Sequence, residues 1–223
     1  MTPPLLVLRP EPGASATARA ARAMGLEAIV APLFTVRALD WHLPDHRPEA
    51  VLMTSANAAR LAGPALASLL SLPLYAVGEA TAAAARAAGF TRIATGKDGV
   101  DAIVARAAAD GVGHMLHLAG REHRTPAAGP LTIEQRLVYA ADPVDRLPEQ
   151  VARALPDVVA LLHSPRAAIL LAMLVEPNTM RIAAISDATR NAAGEGWRAV
   201  AVAARPTDAS LLAAAAKLCN HRG

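Results

Sequence analysis

The chain carries one pattern twice, about 110 positions apart, and this repeat constrains its fold more than any other feature. VLMTSANAAR, from Val51 to Arg60, is echoed by VVALLHSPRAA, from Val158 to Ala168, and aligning Ser55 on Ser164 gives an offset of 109. AVGEATAAAARAAGF, from Ala76 to Phe90, is echoed by AAISDATRNAAGEGW, from Ala183 to Trp197, and aligning Thr81 on Thr189 gives 108. Each copy reads apolar strand, short polar turn, Ala-rich helix, and then the same again. A third echo relates LVLRP, with Leu8, to HMLHLAG, with Leu118, at an offset of 110. Strands that are apolar through several consecutive positions belong in sheets covered on both faces, hence parallel ones. The expectation is therefore an α/β fold of two similar flavodoxin- or Rossmann-like domains. Their polar turns would gather at the C-terminal strand ends and line a cleft between the domains.

Local signals place the elements. Leu5 to Leu8 reads as a first strand and Ser15 to Met24 as a helix stopped by Gly25. Glu27 to Val36 reads as one extended piece, and TVRALDWHLPDHRP after it as loop or linker. Strands follow at Ala50 to Met53, Leu74 to Val77, Arg92 to Ala94, His114 to Leu118 and Leu131 to Ala140. In the second half they fall at Asp157 to Leu162, Met180 to Ile185 and Arg198 to Val202. Helices are expected from Ala56, at Glu79 to Ala88, Val100 to Ala109 and Arg166 to Leu174, after the SDAT cap, and from Asp208 to about Leu218. Both halves contain an extended segment carrying a proline, and these are natural crossovers.

Composition limits the function. Aromatics are 3% of the chain and hydrophobic residues 53%, so the cores are built from Leu, Val, Ile and Ala. The net charge is +3, from 22 Lys+Arg against 19 Asp+Glu. The arginines are scattered, with no basic run or aromatic platform, which argues against nucleic acid and for a small anion held by a few guanidiniums. One cysteine, Cys219, excludes an intrachain disulfide and suits a reducing cytoplasm. MTPPLLVLRP lacks the basic and apolar regions of a secretory signal, and Leu61 to Gly78, broken by Pro64 and Pro73, reads as buried chain and not as a membrane span.

The chemistry-bearing candidates sit at the strand ends. Thr54, Ser55 and Ser164 occupy helix starts, where a hydroxyl either caps the helix or reaches an anion. Thr81 and Thr189 lie in first helical turns with the same two options. Arg9, Arg60, Arg121, Arg124, Arg166 and Arg190 lie near strand ends and suit carboxylates. His114 and His117, three apart on a strand, face opposite ways and make poor metal partners. HExxH, CxxC, GxGxxG, Walker A and GxSxG are all absent. No metal or redox cofactor is expected.

Taken in order, LRP at Leu8 to Pro10, TSANA at Thr54 to Ala58, VGEATA at Val77 to Ala82, Gly120-Arg121, Val138-Tyr139, HSPRAA at His163 to Ala168 and AISDAT at Ala184 to Thr189 resemble the uroporphyrinogen-III synthase family over nearly the whole chain. The resemblance implies a discontinuous domain of residues 1–35 and 144–223 and an inserted domain of residues 38–140. Two extended linkers near 34–40 and 137–144 would join them. It implies cofactor-free cyclisation of hydroxymethylbilane with inversion of the last ring and loss of water, through an azafulvene cation and a spiro intermediate. The substrate would be a polycarboxylate tetrapyrrole and the protein a monomer, acting on neither nucleic acid nor membrane. Tyr139 matches the family's linker tyrosine and is the catalytic candidate. Arg9, Thr54, Ser55, Thr81, Gly120, Arg121, Ser164 and Thr189 are the substrate-binding candidates. Asp187 departs from the family pattern and does not favour an anion there, and the Arg121–Pro130 loop obscures the place of Arg124. From the residues alone, a non-catalytic hinged pair of domains binding a small anion is the alternative. A two-domain glycosyltransferase is disfavoured by size.

Overall fold

In chain order the elements are β1 (Leu5–Val7), α1 (Gly13–Ala23), β2 (Ala28–Val30), β3 (Phe34–Ala38), β4 (Ala50–Met53), α2 (Ala56–Leu61), β5 (Leu74–Ala76), α3 (Glu79–Ala87), β6 (Ile93–Thr95) and α4 (Val100–Ala109). They continue with β7 (His114–Gly120), β8 (Thr132–Pro143), α5 (Glu149–Ala154), β9 (Val159–Leu162), α6 (Pro165–Leu174), β10 (Arg181–Ala184), α7 (Asp187–Ala193), β11 (Ala199–Val202) and α8 (Asp208–Asn220). This computed structural model describes residues 2–96 and 98–220. The chain divides into two units, Met1–Thr35 with Pro143–Gly223, and Val36–Asp142.

Unit 1, formed by the two chain ends, holds a parallel sheet in the order β2-β1-β9-β10-β11. The order of strands reverses between β1 and β9, so that crevice is the topological switch point, where open α/β sheets place ligands. Strand alternation directs Leu5, Val7, Val159, Leu161 and Ala183 onto one face, where they pack against Ala14, Ala18 and Ala21 of α1 and Leu211, Leu212 and Ala215 of α8. Alanines on α1 let the helix lie close to the sheet. Helix α6 buries Ala167, Ala168 and Leu171, and α7 packs beside it. Trp197 is buried, and its indole N–H donates to the Ala193 carbonyl at 3.1 Å.

Unit 2 holds parallel strands in the order β8-β7-β4-β5-β6, with β3 outside β8. Its strands β7, β8, β4, β5 and β6 take the sheet positions that β1, β2, β9, β10 and β11 take in unit 1. The two units are thus circular permutations of one arrangement, which is why the three sequence echoes share a period yet do not run in one line. The switch point of unit 2 falls between β4 and β7. Val51, Met53, Leu74, Leu116 and Leu118 pack against alanines of α2 and α3. Ala50, Leu52, Tyr75 and Met115 pack on the opposite face against Val100, Ile103, Val104 and Ala107 of α4. Trp41 packs against the first of these cores, and its indole N–H donates to the Ala62 carbonyl at 2.7 Å.

The two passages of the chain between units lie in β3 and β8. The Leu39 N–H donates to the Val138 carbonyl and the Val144 N–H to the Leu33 carbonyl, both at 3.0 Å. That crossed register makes the ribbon antiparallel, whereas the strand pairs within the two sheets beside it are parallel as expected. Three details depart from the sequence reading. Glu27 to Val36 is not one extended piece: β2 and β3 are separated at Ala31 to Leu33, where Pro32 has no N–H to give a ladder. Arg37 and Ala38, read as loop, are strand because β8 supplies a hydrogen-bonding neighbour. Helix α5 was not anticipated; it is six residues long and opens after Pro148. Among the described residues no helix is long and apolar enough to cross a membrane.

Candidate functional site

In unit 2 the turns beyond β4 and β7 meet at a cavity of about 350 Å³ lined by Thr54, Ser55, Val77, Val100, Glu122, His123, Arg124 and Tyr139. Ser55 is the N-cap of α2; its Oγ accepts the Asn57 N–H at 3.2 Å. Part of its hydrogen-bonding capacity therefore serves the helix. Thr54, one residue earlier, is not committed to the helix, and its Oγ1 lies 3.3 Å from Nε2 of His117.

Tyr139 reaches the cavity through a break in register. Leu137 pairs with Ala119, but Tyr139 pairs with Gly120, so β8 carries an extra residue there. Such a bulge re-aims side chains. Val138 enters the core and Tyr139 packs at its margin. Gly120 is required by the ring: a Cβ at position 120 would stand 2.7 Å from both Cε2 and Oη of Tyr139. The backbone also links them, since the Arg121 N–H donates to the Tyr139 carbonyl at 2.9 Å.

Arg121 is exposed and paired, its Nη1 3.0 Å from Asp142 Oδ1, while Arg37 Nε lies 2.5 Å from the other oxygen. The two guanidiniums hold the Asp142 carboxyl below its ordinary range, the Arg37 hydrogen bond contributing most. Arg124 forms an ion pair with Asp101. Thr81 is buried in the first turn of α3.

Two histidines belong to this cavity, one in its lining and one behind it. His123 lines it, with Nδ1 2.9 Å from the Gly120 carbonyl and Nε2 2.6 Å from the Gln135 amide nitrogen. The amide can only donate, so Nε2 accepts and Nδ1–H donates to Gly120. His117 on β7 is wholly buried. Its ring meets that of His123 edge-on, centroids 5.7 Å apart. Burial, with a smaller push from His123, lowers the His117 pKa to about 4. His114, on the other face of the strand, is 3.7 Å from Glu134.

Unit 1 gathers a different set at its own switch point. Asp208, at the start of α8, accepts from Thr17 Oγ1, 3.0 Å from each carboxylate oxygen. It also faces His163 Nε2 at 2.8 Å and Arg9 Nη1 at 3.7 Å. Burial lowers the His163 pKa, and the hydrogen bond to Asp208 opposes that shift. The Arg9 guanidinium lies over Gly13, where a Cβ would stand 2.5 Å from Nε. Ser164 caps α6, its Oγ accepting the Ala167 N–H at 3.2 Å. Thr189 is fully buried and its hydroxyl is 3.1 Å from that of Ser186, the cap of α7. Asp187, beside that cap, is exposed.

Of the candidates read from sequence, Thr54, Ser55 and Tyr139 come together on the unit 2 cavity, with Gly120 under Tyr139 and Arg121 next to it. Arg9 and Ser164 lie at the β1 and β9 ends of unit 1, and Thr81 and Thr189 are buried in helix starts. Glu122, His123 and the structural partner His117 were not singled out as site residues. The HxxH of β7 was the one signal for His117, and its spacing, which sets His114 and His117 on opposite faces of the strand, speaks against a metal; His123 carried no signal of its own.

The cavity in unit 2 is lined by the Thr54 and Ser55 hydroxyls, the Tyr139 phenol, the Glu122 carboxyl and the Arg124 guanidinium, while both His123 nitrogens are bonded within the protein. No curated protein sequence matches the chain significantly. Among solved structures, uroporphyrinogen-III synthetase from Helicobacter pylori 26695 is similar at 16% identity, covering 98% of this chain and 100% of that one, with a TM-score of 0.68. A mutant uroporphyrinogen III synthase from the extremely thermophilic bacterium Thermus thermophilus is similar at 15% identity, covering 97% and 98%, with a TM-score of 0.53. At such identities these likenesses speak for the fold. The sequence profile described as uroporphyrinogen-III synthase HemD matches residues 15–213. Spanning most of the length and reaching into both units, that match shows that the chain belongs to the uroporphyrinogen-III synthase family.

Proposed function

We propose that this enzyme of haem biosynthesis acts as a cyclising hydro-lyase, closing hydroxymethylbilane to uroporphyrinogen III with inversion of the last ring. The observation that carries the reading is the convergence of the Tyr139 phenol with the Thr54 and Ser55 hydroxyls on one cavity at the strand ends of unit 2. Departure of the substrate's hydroxyl needs a proton or a hydrogen bond, and the phenol of Tyr139 supplies it. The hydroxyl leaves as water and an azafulvene cation remains. Attack by the substituted carbon of the last ring gives a spiro centre. That ring then breaks one bond and re-forms another in the inverted sense, and loss of a proton restores the pyrrole, so the sum is loss of water.

The remaining contribution is orientation. A four-ring chain has several carbons able to attack, and the enzyme's product depends on which one is held in reach. Hydroxyls and arginines at the strand ends suit the substrate's carboxylates. Arg121 and Arg9 each already face a protein carboxylate, so a substrate carboxylate there would share or displace it. Supplying hydroxymethylbilane and separating the product isomers tests the proposal. Uroporphyrinogen III is expected; formation of the spontaneous type I isomer alone overturns it.

A further inference from the structure

We propose that His117 is a positioning residue for this site: as the Nε2–H tautomer it donates to Thr54 Oγ1, leaving the threonine's own proton to be donated into the unit 2 cavity. The inference rests on the reading that this cavity takes a carboxylate-bearing substrate. The starting point is an imbalance at the ring. His117 is wholly enclosed, yet only one of its nitrogens is used: Nε2 lies 3.3 Å from Thr54 Oγ1, while Nδ1 is buried with no hydrogen-bond partner among the described residues. A neutral imidazole carries one proton, and each tautomer gives a different site.

With the proton on Nδ1, a buried N–H would be orphaned, the rarer and costlier defect in folded proteins. Nε2 would then accept from Thr54, and the threonine would show only lone pairs to the cavity, repelling an anion. With the proton on Nε2, Nδ1 is left as a bare acceptor. The ring then donates to Thr54 Oγ1, and the hydroxyl proton turns towards the cavity that Thr54 lines. Thr54 becomes a donor with a fixed direction, which suits a carboxylate. Burial keeps the ring neutral at ordinary pH and so preserves this division of roles. His123 stabilises it from the side: its Nδ1–H is committed to the Gly120 carbonyl and its Nε2 to Gln135. Neither His123 nitrogen competes for Thr54.

The separation of 3.3 Å is at the long end for a hydrogen bond, so the expected effect is several-fold and not orders of magnitude. Two measurements decide. Long-range ¹H–¹⁵N correlation spectra of the intact protein, with the His117 signals assigned by their loss in His117→Gln, read the tautomer directly. Nε2–H is expected, and Nδ1–H overturns the proposal. In steady-state kinetics, His117→Leu and Thr54→Val are each expected to raise KM for hydroxymethylbilane about fivefold with kcat within about twofold, a change the size of one neutral hydrogen bond. The double variant is expected to be no worse than either alone, and His117→Gln, whose amide can donate from the same place, restores KM. Additive losses, or a loss in kcat alone, overturn the proposal. If His117→Leu fails to fold, Thr54→Val and His117→Gln carry the kinetic test. Should the wild-type protein yield only the type I isomer, the proposed function falls, and the tautomer spectrum still decides which way the hydrogen bond runs.

Discussion

Tyr139 and Gly120 were both readable as individual residues in the sequence, but their dependence on each other was not. It comes from the register break that seats Tyr139 opposite Gly120, and no local pattern announces a bulge. The contact yields paired predictions. Tyr139→Phe keeps the ring over Gly120 and removes only the hydroxyl, so turnover is expected to fall about 10²-fold, the low end for acid assistance, with thermal unfolding unchanged. Gly120→Ala drives a methyl into the ring, since the new Cβ would stand 2.7 Å from Cε2. Overpacking of that kind costs about 1–3 kcal/mol, and displacement of the phenol is expected to cost turnover as well. Isomer-resolved assays and denaturation curves on the two variants check both. His117 supplies a pH prediction. Its ordinary pKa of 6.5 falls to about 4 in the fold. The unfolded chain therefore takes up a proton near pH 6.5 that the folded one refuses until near pH 4. The contribution to stability is intact above 6.5 and is lost as pH falls through that window, by roughly 3 kcal/mol in all. Urea unfolding from about pH 7.5 to about pH 4.5 should show this slope, and His117→Gln should reduce it, leaving the part that His163, also lowered by burial, contributes.

At the level of elements, short-range chemistry was legible and pairing was not. Ser55, Ser164 and Ser186 cap their helices through the hydroxyl-to-amide contact that their place before an Ala-rich run suggests. Arg37 and Ala38 looked like loop because a strand one layer out from the core has no continuous apolar signature; only the partner β8 makes them strand. The cluster around Asp208 was equally hidden, because Thr17, His163 and Asp208 are brought together from three separate elements. Asp208 ties the start of α8 to α1 and to the turn after β9. Removing it in Asp208→Ala leaves the Thr17 hydroxyl and His163 Nε2 without their acceptor. The expected loss is about 1–3 kcal/mol of unfolding free energy, with Asp208→Asn intermediate. Equilibrium denaturation of the two variants measures it, and equal stability of Asp208→Ala and wild type would mean that the cluster does not hold the fold.

For the whole molecule, the repeat period was enough to read two α/β units, because strand, turn and helix recur together. The permuted strand order was not visible, since an offset shared by three echoes does not say which strand stands beside which. Unit 2 is contiguous in sequence and has its own six-stranded sheet with a core on each face. A fragment of residues 36–142 is therefore expected to unfold cooperatively by circular dichroism, whereas residues 143–223 alone lack β1, the strand beside β9, and are expected to remain uncooperative. The scarcity of aromatic side chains has one more effect. The chain's two tryptophans fall one to each unit, Trp41 and Trp197. Each lobe thus comes with its own native fluorophore, and a single Trp→Phe exchange silences one of them. Emission from the survivor then follows the melting of one lobe in an otherwise unlabelled protein.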